Sequence, residues 1–183
     1  MKKFISILIL VCLSSLVYPQ NAKLNNQTYK FYNQIIGELI LESKDSMIIL
    51  REDINHFPSY KLKAEVRYLM DVLNESDSGY IAMQLEERLN FRIDSVKIKG
   101  IQIIPKKFTD RYFKSVHYWD LIRAEYGSGY YSFGKPIFSK SMKRLYFMMG
   151  YCCGPECGHG QASMYEKKGG KWVQVKVCSS WAE

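Results

Sequence analysis

Two adjacent glycines near the C-terminus constrain the fold of this chain most strongly. Gly169 and Gly170 stand between two runs in which apolar and polar residues alternate. A glycine pair is typical of the two-residue turn of a β-hairpin, and alternation is typical of a half-buried strand. We therefore predict a hairpin in which Lys168 pairs with Lys171. Its apolar face would comprise Ala162, Met164, Val173, Val175 and Val177.

The residues before this hairpin extend it into a three-stranded meander. Placing Cys152 opposite Gln161 brings the apolar residues of the run 144–152 onto the same face. Those residues are Leu145, Phe147, Met149 and Tyr151. Within the hairpin, the same register pairs Met164 with Val175 and Ala162 with Val177. A slip of one residue would invert every side chain, so this register is a specific prediction.

Three of the five cysteines lie in one glycine-rich run, and a fourth lies close to the C-terminus. In the predicted meander Cys152 and Cys178 are two strand spacings apart, about 9.5–10 Å. A disulfide requires Cα atoms about 4.4–6.8 Å apart, so this pair is disfavoured. Cys153 and Cys157 bracket a Gly-Pro-Glu turn, and a disulfide between them ranks first. The partners of Cys152 and Cys178 stay open.

Two other interpretations compete with a disulfide-clamped loop. A metal site of Cys153, Cys157, His159 and Cys178 suits zinc by residue type, although the spacing differs from that of common zinc sites. The run Cys-Gly-Pro-Glu-Cys is also similar to a Cys-Gly-Pro-Cys redox motif with one residue inserted. A strand follows it, however, so no helix N-terminus would lower the pKa of the thiol. We predict no catalytic residue, metal or cofactor; the alternative is a cell-envelope hydrolase or a thiol- or metal-dependent enzyme using Cys153, Cys157 and His159.

The N-terminus has the layout of a secretory signal. Lys2 and Lys3 precede an uncharged apolar stretch, residues 4–17, which is shorter than the roughly 20 residues of a membrane-spanning helix. We predict a signal peptide over residues 1–22, with cleavage near Ala22. A lipoprotein anchor at Cys12 is less favoured, because bulky Val11 stands where such signals have a small residue.

Export would leave a single domain, residues 23–183, with an even number of cysteines in an oxidising compartment, which favours disulfides. The expected location is periplasmic, outer-membrane-associated or extracellular, with membrane contact only during export. Loss of Lys2 and Lys3 would lower the formal net charge from +8 to about +6. An acidic envelope surface or polymer is therefore a candidate partner. Specific nucleic-acid binding is not predicted, because no recognition module is present.

The mature chain divides into a helical first half and a strand-rich second half. Two segments have apolar residues at helical spacing. They comprise Tyr32, Ile35, Ile36, Leu39 and Ile40, and, after Pro58, Leu62, Val66, Leu69, Met70 and Leu73. A short helix is predicted over 80–90, and strands at 96–98 and 101–104. The predicted class is α+β, with the helical half packed on an antiparallel sheet that ends in the meander.

Five aromatic residues surround a glycine-containing loop at 127–129. They are Trp119, Tyr126, Tyr130, Tyr131 and Phe133. These rings are candidates for stacking on a sugar or peptide, and the competing interpretation is that they pack over the sheet. His56 and His117 have no serine or cysteine at a diagnostic spacing, so neither is predicted to be catalytic.

The segment from Trp119 to Trp181 resembles a C-terminal module of secreted bacterial proteins whose activity is unknown. The resemblance rests on Ser132-Phe-Gly-Lys-Pro-Ile-Phe-Ser139, Tyr151-Cys-Cys-Gly-Pro-Glu-Cys-Gly-His-Gly160 and Lys168-Gly-Gly-Lys-Trp172. It implies export and the loop disulfide, and it brings no substrate or cofactor. The sequence thus predicts an exported, non-catalytic binding or structural module.

Overall fold

The protein has an α+β fold, as predicted. The computed structural model describes residues 2–43, 48–52, 62–112 and 114–182, with side chains from residue 22 onward. Five helices lie in these ranges: α1 (Lys2–Ser43), α2 (Leu62–Leu73), α3 (Ser78–Asn90), α4 (Lys106–Tyr112) and α5 (Tyr118–Tyr126). The strands are β1 (Ile48–Arg51), β2 (Ile101–Ile104), β3 (Tyr130–Phe133), β4 (Ile137–Phe138), β5 (Arg144–Gly154), β6 (Cys157–Lys168) and β7 (Lys171–Ala182).

The seven strands form one mixed sheet. Its order is β2-β1-β3-β5-β6-β7, and β4 pairs with β5 beside this path. Strands β5, β6 and β7 form the predicted antiparallel meander. The expectation of a wholly antiparallel sheet is wrong at β1, which runs parallel to both β2 and β3. Parallel neighbours need a long crossover connection, and α2 and α3 lie in the segment that joins β1 to β2.

The hairpin register is correct near the turn and wrong farther from it. Lys168 pairs with Lys171, as predicted. Two irregularities then shift the register, so that Met164 pairs with Lys176 and Ala162 pairs with Ser179. A bulge inserts one extra residue into one strand of a pair, and here the extra residues lie in β7.

The register between β5 and β6 also differs from the prediction. Cys152 pairs with Gly158, and Gln161 pairs with Met149. The glycine-rich run is therefore strand up to a tight turn rather than a long loop. As a result, Phe147 of β5 shares a face with Tyr165 of β6, which the predicted register placed on opposite faces.

Aromatic packing against α1 explains this register. Phe31 of α1 has its ring centroid 4.8 Å from that of Phe147, 5.1 Å from Tyr165 and 6.3 Å from Trp172. Large aromatic rings bury more apolar area than valine, so they take the core face. The predicted apolar face is wrong for Val173, Val175 and Val177, which are 42%, 37% and 47% exposed on the edge strand β7.

Helix α1 carries the predicted stripe and closes over the sheet. Its buried residues recur three and four apart: Leu24, Thr28, Tyr29, Phe31, Tyr32, Ile35 and Ile36. Gln34 fixes this helix to β7 through two hydrogen bonds. Its Nε2 donates to the backbone oxygen of Trp172 at 2.6 Å, and its Oε1 accepts from the backbone N–H of Trp172 at 2.9 Å.

Helices α2 and α3 form where the sequence predicts them. Gln84 of α3 donates to the backbone oxygen of Phe138 and accepts from its N–H, both at 2.9 Å, which anchors β4. Glu87 of α3 pairs with buried Lys135 at 2.7 Å. Helix α2 meets the sheet where the ring centroids of Tyr68 and Tyr146 lie 6.1 Å apart.

The strand predicted at 96–98 is wrong. Residues Ser95–Lys97 form a 3₁₀ turn, because the Asp94 side chain caps the backbone N–H of Val96. Gly100 then turns the chain with a φ of 72° before β2 begins. Pro58 and His56 lie outside the described residues, as do the side chains of residues 1–21, including Cys12. Within the described part of the chain, no helix is long and apolar enough to cross a membrane.

Candidate functional site

A disulfide closes the turn between β5 and β6. Cys153 and Cys157 are bonded, with Cα atoms 5.1 Å apart, which confirms the bridge predicted from the sequence. The last pair of the ladder is Gly154 with Cys157, so only Pro155 and Glu156 separate the two strands. The bridge therefore fixes the end of the β5–β6 hairpin.

Beyond this turn, four strands place side chains in two parallel rows on one face of the sheet. The first row runs from Tyr131 through Tyr151 and His159 to Ala182. The second row runs from Phe133 through Met149 and Gln161 to Ser180. Residues two apart on a strand share a face, so both rows lie on the face that α1 covers farther along the sheet.

A shallow groove of about 500 Å³ lies over these rows, and we call it the aromatic groove. Its lining residues are Tyr131, Met149, Gly150, Tyr151, His159, Gly160, Gln161, Ser180, Trp181 and Ala182. The ring centroids of Tyr131 and Tyr151 are 4.9 Å apart, and those of Tyr151 and His159 are 5.7 Å apart. Apart from His159, none of these lining side chains can carry a charge near neutral pH.

Trp181 packs against the back of the same strands. A Cβ atom on Gly160 would lie 2.5 Å from Nε1 of this indole, and a Cβ atom on Gly150 or Gly158 would lie 3.1 or 3.2 Å from its ring. These glycines pair across β5 and β6 or lie next to that pair, so together they leave room for one indole ring. The Trp181 ring thus supports the backbone of the groove from the opposite face.

The structure divides the five aromatic residues that the sequence grouped together. Trp119 and Tyr130 stack with centroids 5.7 Å apart at an angle of 10° in a second apolar cluster, which Tyr126 also joins. Tyr130 is 3% exposed and Phe133 is fully buried. Only Tyr131 lines the aromatic groove.

Cys178 lies away from the disulfide turn. Its neighbours in β7 are Val177, which pairs with Ser163, and Ser179, which pairs with Ala162. Cys178 is half-buried and forms no disulfide. His159 pairs with Ala182, about 13 Å farther along β7 at the usual rise per residue. Cys178 instead contacts Tyr68, and burial, together with the hydrogen bond to this thiol, raises the pKa of Tyr68.

The metal set proposed from the sequence is therefore not brought together. Two of its four members, Cys153 and Cys157, are bonded to each other. In the described ranges, no group of three or more histidine, cysteine or carboxylate side chains is placed to hold a metal ion. Cys152, the remaining thiol of the run, is half-buried and packs at the edge of the second apolar cluster with Tyr130.

Several groove residues were missed by the sequence reasoning. Gln161 and Ser180 were assigned no role, and Trp181 was not recognised as a support for the groove. A usable signal was present: three glycines at 150, 158 and 160 lie on two neighbouring strands, and one indole follows on the third. Such a cluster indicates that a large side chain lies flat on the sheet.

Comparison with known proteins gives no relative for this chain: no family model, no curated protein and no solved structure matches it.

Proposed function

We propose that this chain is an exported, non-catalytic binding module whose ligand surface is the aromatic groove. The observation that carries this proposal is a partly aromatic groove, without lysine, arginine or carboxylate side chains, beside a disulfide-fixed turn. Ligand sites are typically concave, with aromatic and apolar walls and a few polar groups. The groove has this composition, and its lining residues come from four hydrogen-bonded strands.

Two features support export. Disulfides persist mainly in oxidising compartments, and Cys153 and Cys157 are bonded. The buried stripe of α1 has Leu24 as its first member among residues 22–43, so cleavage near Ala22 would keep that stripe intact. The module would then act in the periplasm, at the outer membrane or outside the cell.

A binding role is favoured over a thiol enzyme because the loop sulfurs are used in a bond. A nucleophilic or metal-binding cysteine must be a thiolate. Neither Cys153 nor Cys157 can be one while the disulfide is intact. The third residue of the enzyme alternative, His159, packs in the groove, with its ring centroid 5.7 Å from that of Tyr151.

Thiol counting with N-terminal mapping tests the export part of this proposal. The chain has five cysteines, of which two form the disulfide and a third, Cys12, lies in the predicted leader. Expression in a bacterial host, followed by fractionation, should give a protein outside the cytoplasm that begins near residue 23. When unfolded without reductant, it should react with a thiol reagent at two positions, Cys152 and Cys178. A cytoplasmic protein with three or more reactive thiols would contradict export.

Co-sedimentation with isolated envelope fragments tests the binding part. Wild-type protein should sediment with the fragments, and Tyr151→Ala should remain in the supernatant. His117→Ala is the matched surface control, because His117 is exposed and lies outside the groove; it should sediment like wild type. Equal sedimentation of wild type and Tyr151→Ala would rule out the groove as the binding surface.

A further inference from the structure

The polar side chains on the Tyr131–His159 face of the aromatic groove share one chemical property. Tyrosine and serine hydroxyls, the glutamine amide and neutral imidazole can each donate and accept hydrogen bonds. Lysine and arginine only donate, ionised carboxylates only accept, and neither kind lines the groove. The matching ligand therefore carries many groups that also do both, and hydroxyl groups have this property.

The apolar part of the groove points to the same ligand class. The rings of Tyr131 and Tyr151 are half-buried, and His159, the third residue of the row, is exposed. Their planes are tilted by 52° and 43° to one another, so each offers a separate apolar surface. A ligand that alternates C–H surfaces with hydroxyl groups would fit such a row better than one large flat ring.

Charge argues against the anionic ligands that a basic chain might bind. The chain carries a formal net charge of +8, yet no lysine or arginine lines the groove. Phosphate and sulfate groups are recognised mainly by lysine and arginine side chains. An anionic polymer would thus bind elsewhere on the surface and through salt-dependent contacts.

A peptide that adds a strand is also a poor fit. Three of the four groove strands, β3, β5 and β6, already pair with neighbours on both sides, so their backbone groups are used within the sheet. Strand addition requires an exposed sheet edge, which here is β7, and a peptide paired with β7 would lie beside the groove. The groove lies on the face of these strands, where only side chains are presented.

We propose that the aromatic groove binds a neutral saccharide, with Tyr131, Tyr151 and His159 contacting the sugar rings and Gln161 and Ser180 hydrogen-bonding their hydroxyl groups. This inference rests on the proposed binding function and names its ligand class. The row spans three strand spacings, about 14 Å, so more than one sugar ring fits along it. Gln161 is oriented for this role by a hydrogen bond from its Nε2 to Oε1 of Gln174 at 3.3 Å.

Calorimetric titration of the full mature chain tests this inference. The probes are maltotriose, cellotriose and N,N′,N″-triacetylchitotriose as neutral ligands, and polygalacturonate as the anionic one. At least one neutral trisaccharide should bind, with an affinity that is the same at low and high salt. Tyr151→Ala and Gln161→Ala should each weaken binding about tenfold or more. His117→Ala and Gln102→Ala are the matched controls outside the groove and should bind like wild type.

The variant His159→Ala distinguishes loss of binding from loss of the fold, because an exposed side chain can be removed with little effect on stability. It should also weaken binding, with an unchanged urea-unfolding curve. The inference is overturned if no neutral trisaccharide binds, if only polygalacturonate binds, or if the groove variants bind as tightly as wild type. A further result would separate the two proposals: co-sedimentation with the envelope that depends on Tyr151 but is not displaced by neutral trisaccharides. It would support the binding function and contradict a saccharide ligand.

Discussion

At the residue scale, the glycines behind the groove are required for packing. None of Gly150, Gly158 and Gly160 has a positive φ, so other residues fit their backbone conformation. What excludes a side chain is the indole of Trp181, which comes closest at Gly160. The groove therefore depends on an indole ring that lies on the face of the sheet opposite to Tyr151 and His159.

Replacement of Gly160 by alanine should test this packing. The new methyl group would overlap Trp181, and overpacking of this kind costs about 1–3 kcal/mol of the free energy of unfolding. In a Trp181→Ala background the same change should cost much less, because the obstructing ring is gone. Urea denaturation of the four proteins measures this coupling.

Gly37→Ala is the matched control, since a Cβ atom there meets nothing within 4 Å and the residue lies inside α1. It should stabilise the protein by about 0.5–1 kcal/mol. Equal costs of Gly160→Ala with and without Trp181 would show that the ring does not occupy the glycine site.

At the scale of single elements, β7 is a strand in which several hydrophobic side chains are exposed. Trp172 is buried against Phe31, whereas three valines of the same strand are exposed. Two bulges separate the start of the strand from its end. Bulges and exposed lysines are common on edge strands, where they discourage pairing with other chains.

Paired substitutions in β7 should measure this difference. Val175→Thr should change the free energy of unfolding by less than about 0.5 kcal/mol, as is usual for an exposed site. Trp172→Ala should cost about 3–5 kcal/mol, because it empties a buried position. Chemical denaturation followed by far-UV circular dichroism reports both values. A large loss in Val175→Thr would favour the register in which the valines face the core.

The sequence was sufficient for features that depend on neighbouring residues. The stripe of α2, the Gly169-Gly170 turn and the Cys153–Cys157 bridge all involve contacts between residues close in sequence, and each is confirmed. The β5–β6 register was not predictable in this way, because it is set by Phe31, more than 100 residues earlier in the chain. The parallel pairing of β1 depends on an equally distant arrangement.

The same limit applies to the candidate site. Tyr131 was identified from its local setting, but the row that it shares with Tyr151 and His159 exists only in the observed register. In the predicted register Cys152 faced Gln161, which would have broken this row. A site built across four strands cannot be assembled from sequence until the pairing of each strand is known.

At the scale of the whole molecule, buried tyrosines link stability to alkaline pH. Burial raises the pKa of Tyr80 and of Tyr165 to about 12, and at Tyr80 the nearby carboxylates of Glu75 and Glu87 add to the effect. The folded protein thus holds these phenolic protons more tightly than the unfolded chain, whose tyrosines ionise near pH 10. The stabilisation is fully present below about pH 10 and is lost as the pH rises towards 12.

The slope of stability against pH should reveal these two groups. Between about pH 10 and 12, each tyrosine should lower the free energy of unfolding by about 1.4 kcal/mol per pH unit. Tyr165→Phe and Tyr80→Phe should each reduce this slope by about 1.4 kcal/mol per pH unit. Urea unfolding measured at a series of pH values gives the slope. The Tyr80 hydroxyl is buried without a hydrogen-bond partner among the described residues, so Tyr80→Phe should not destabilise the protein at neutral pH. An unchanged slope in both variants would contradict this assignment.

The two hydrogen bonds between Gln34 and Trp172 join parts of the chain that are 138 residues apart. A ribosome makes α1 among the first segments and β7 as the last, so these two bonds form only when synthesis is nearly finished. Until then the nascent polypeptide cannot complete its core. The last strand to be made thus decides when the first helix reaches its final position.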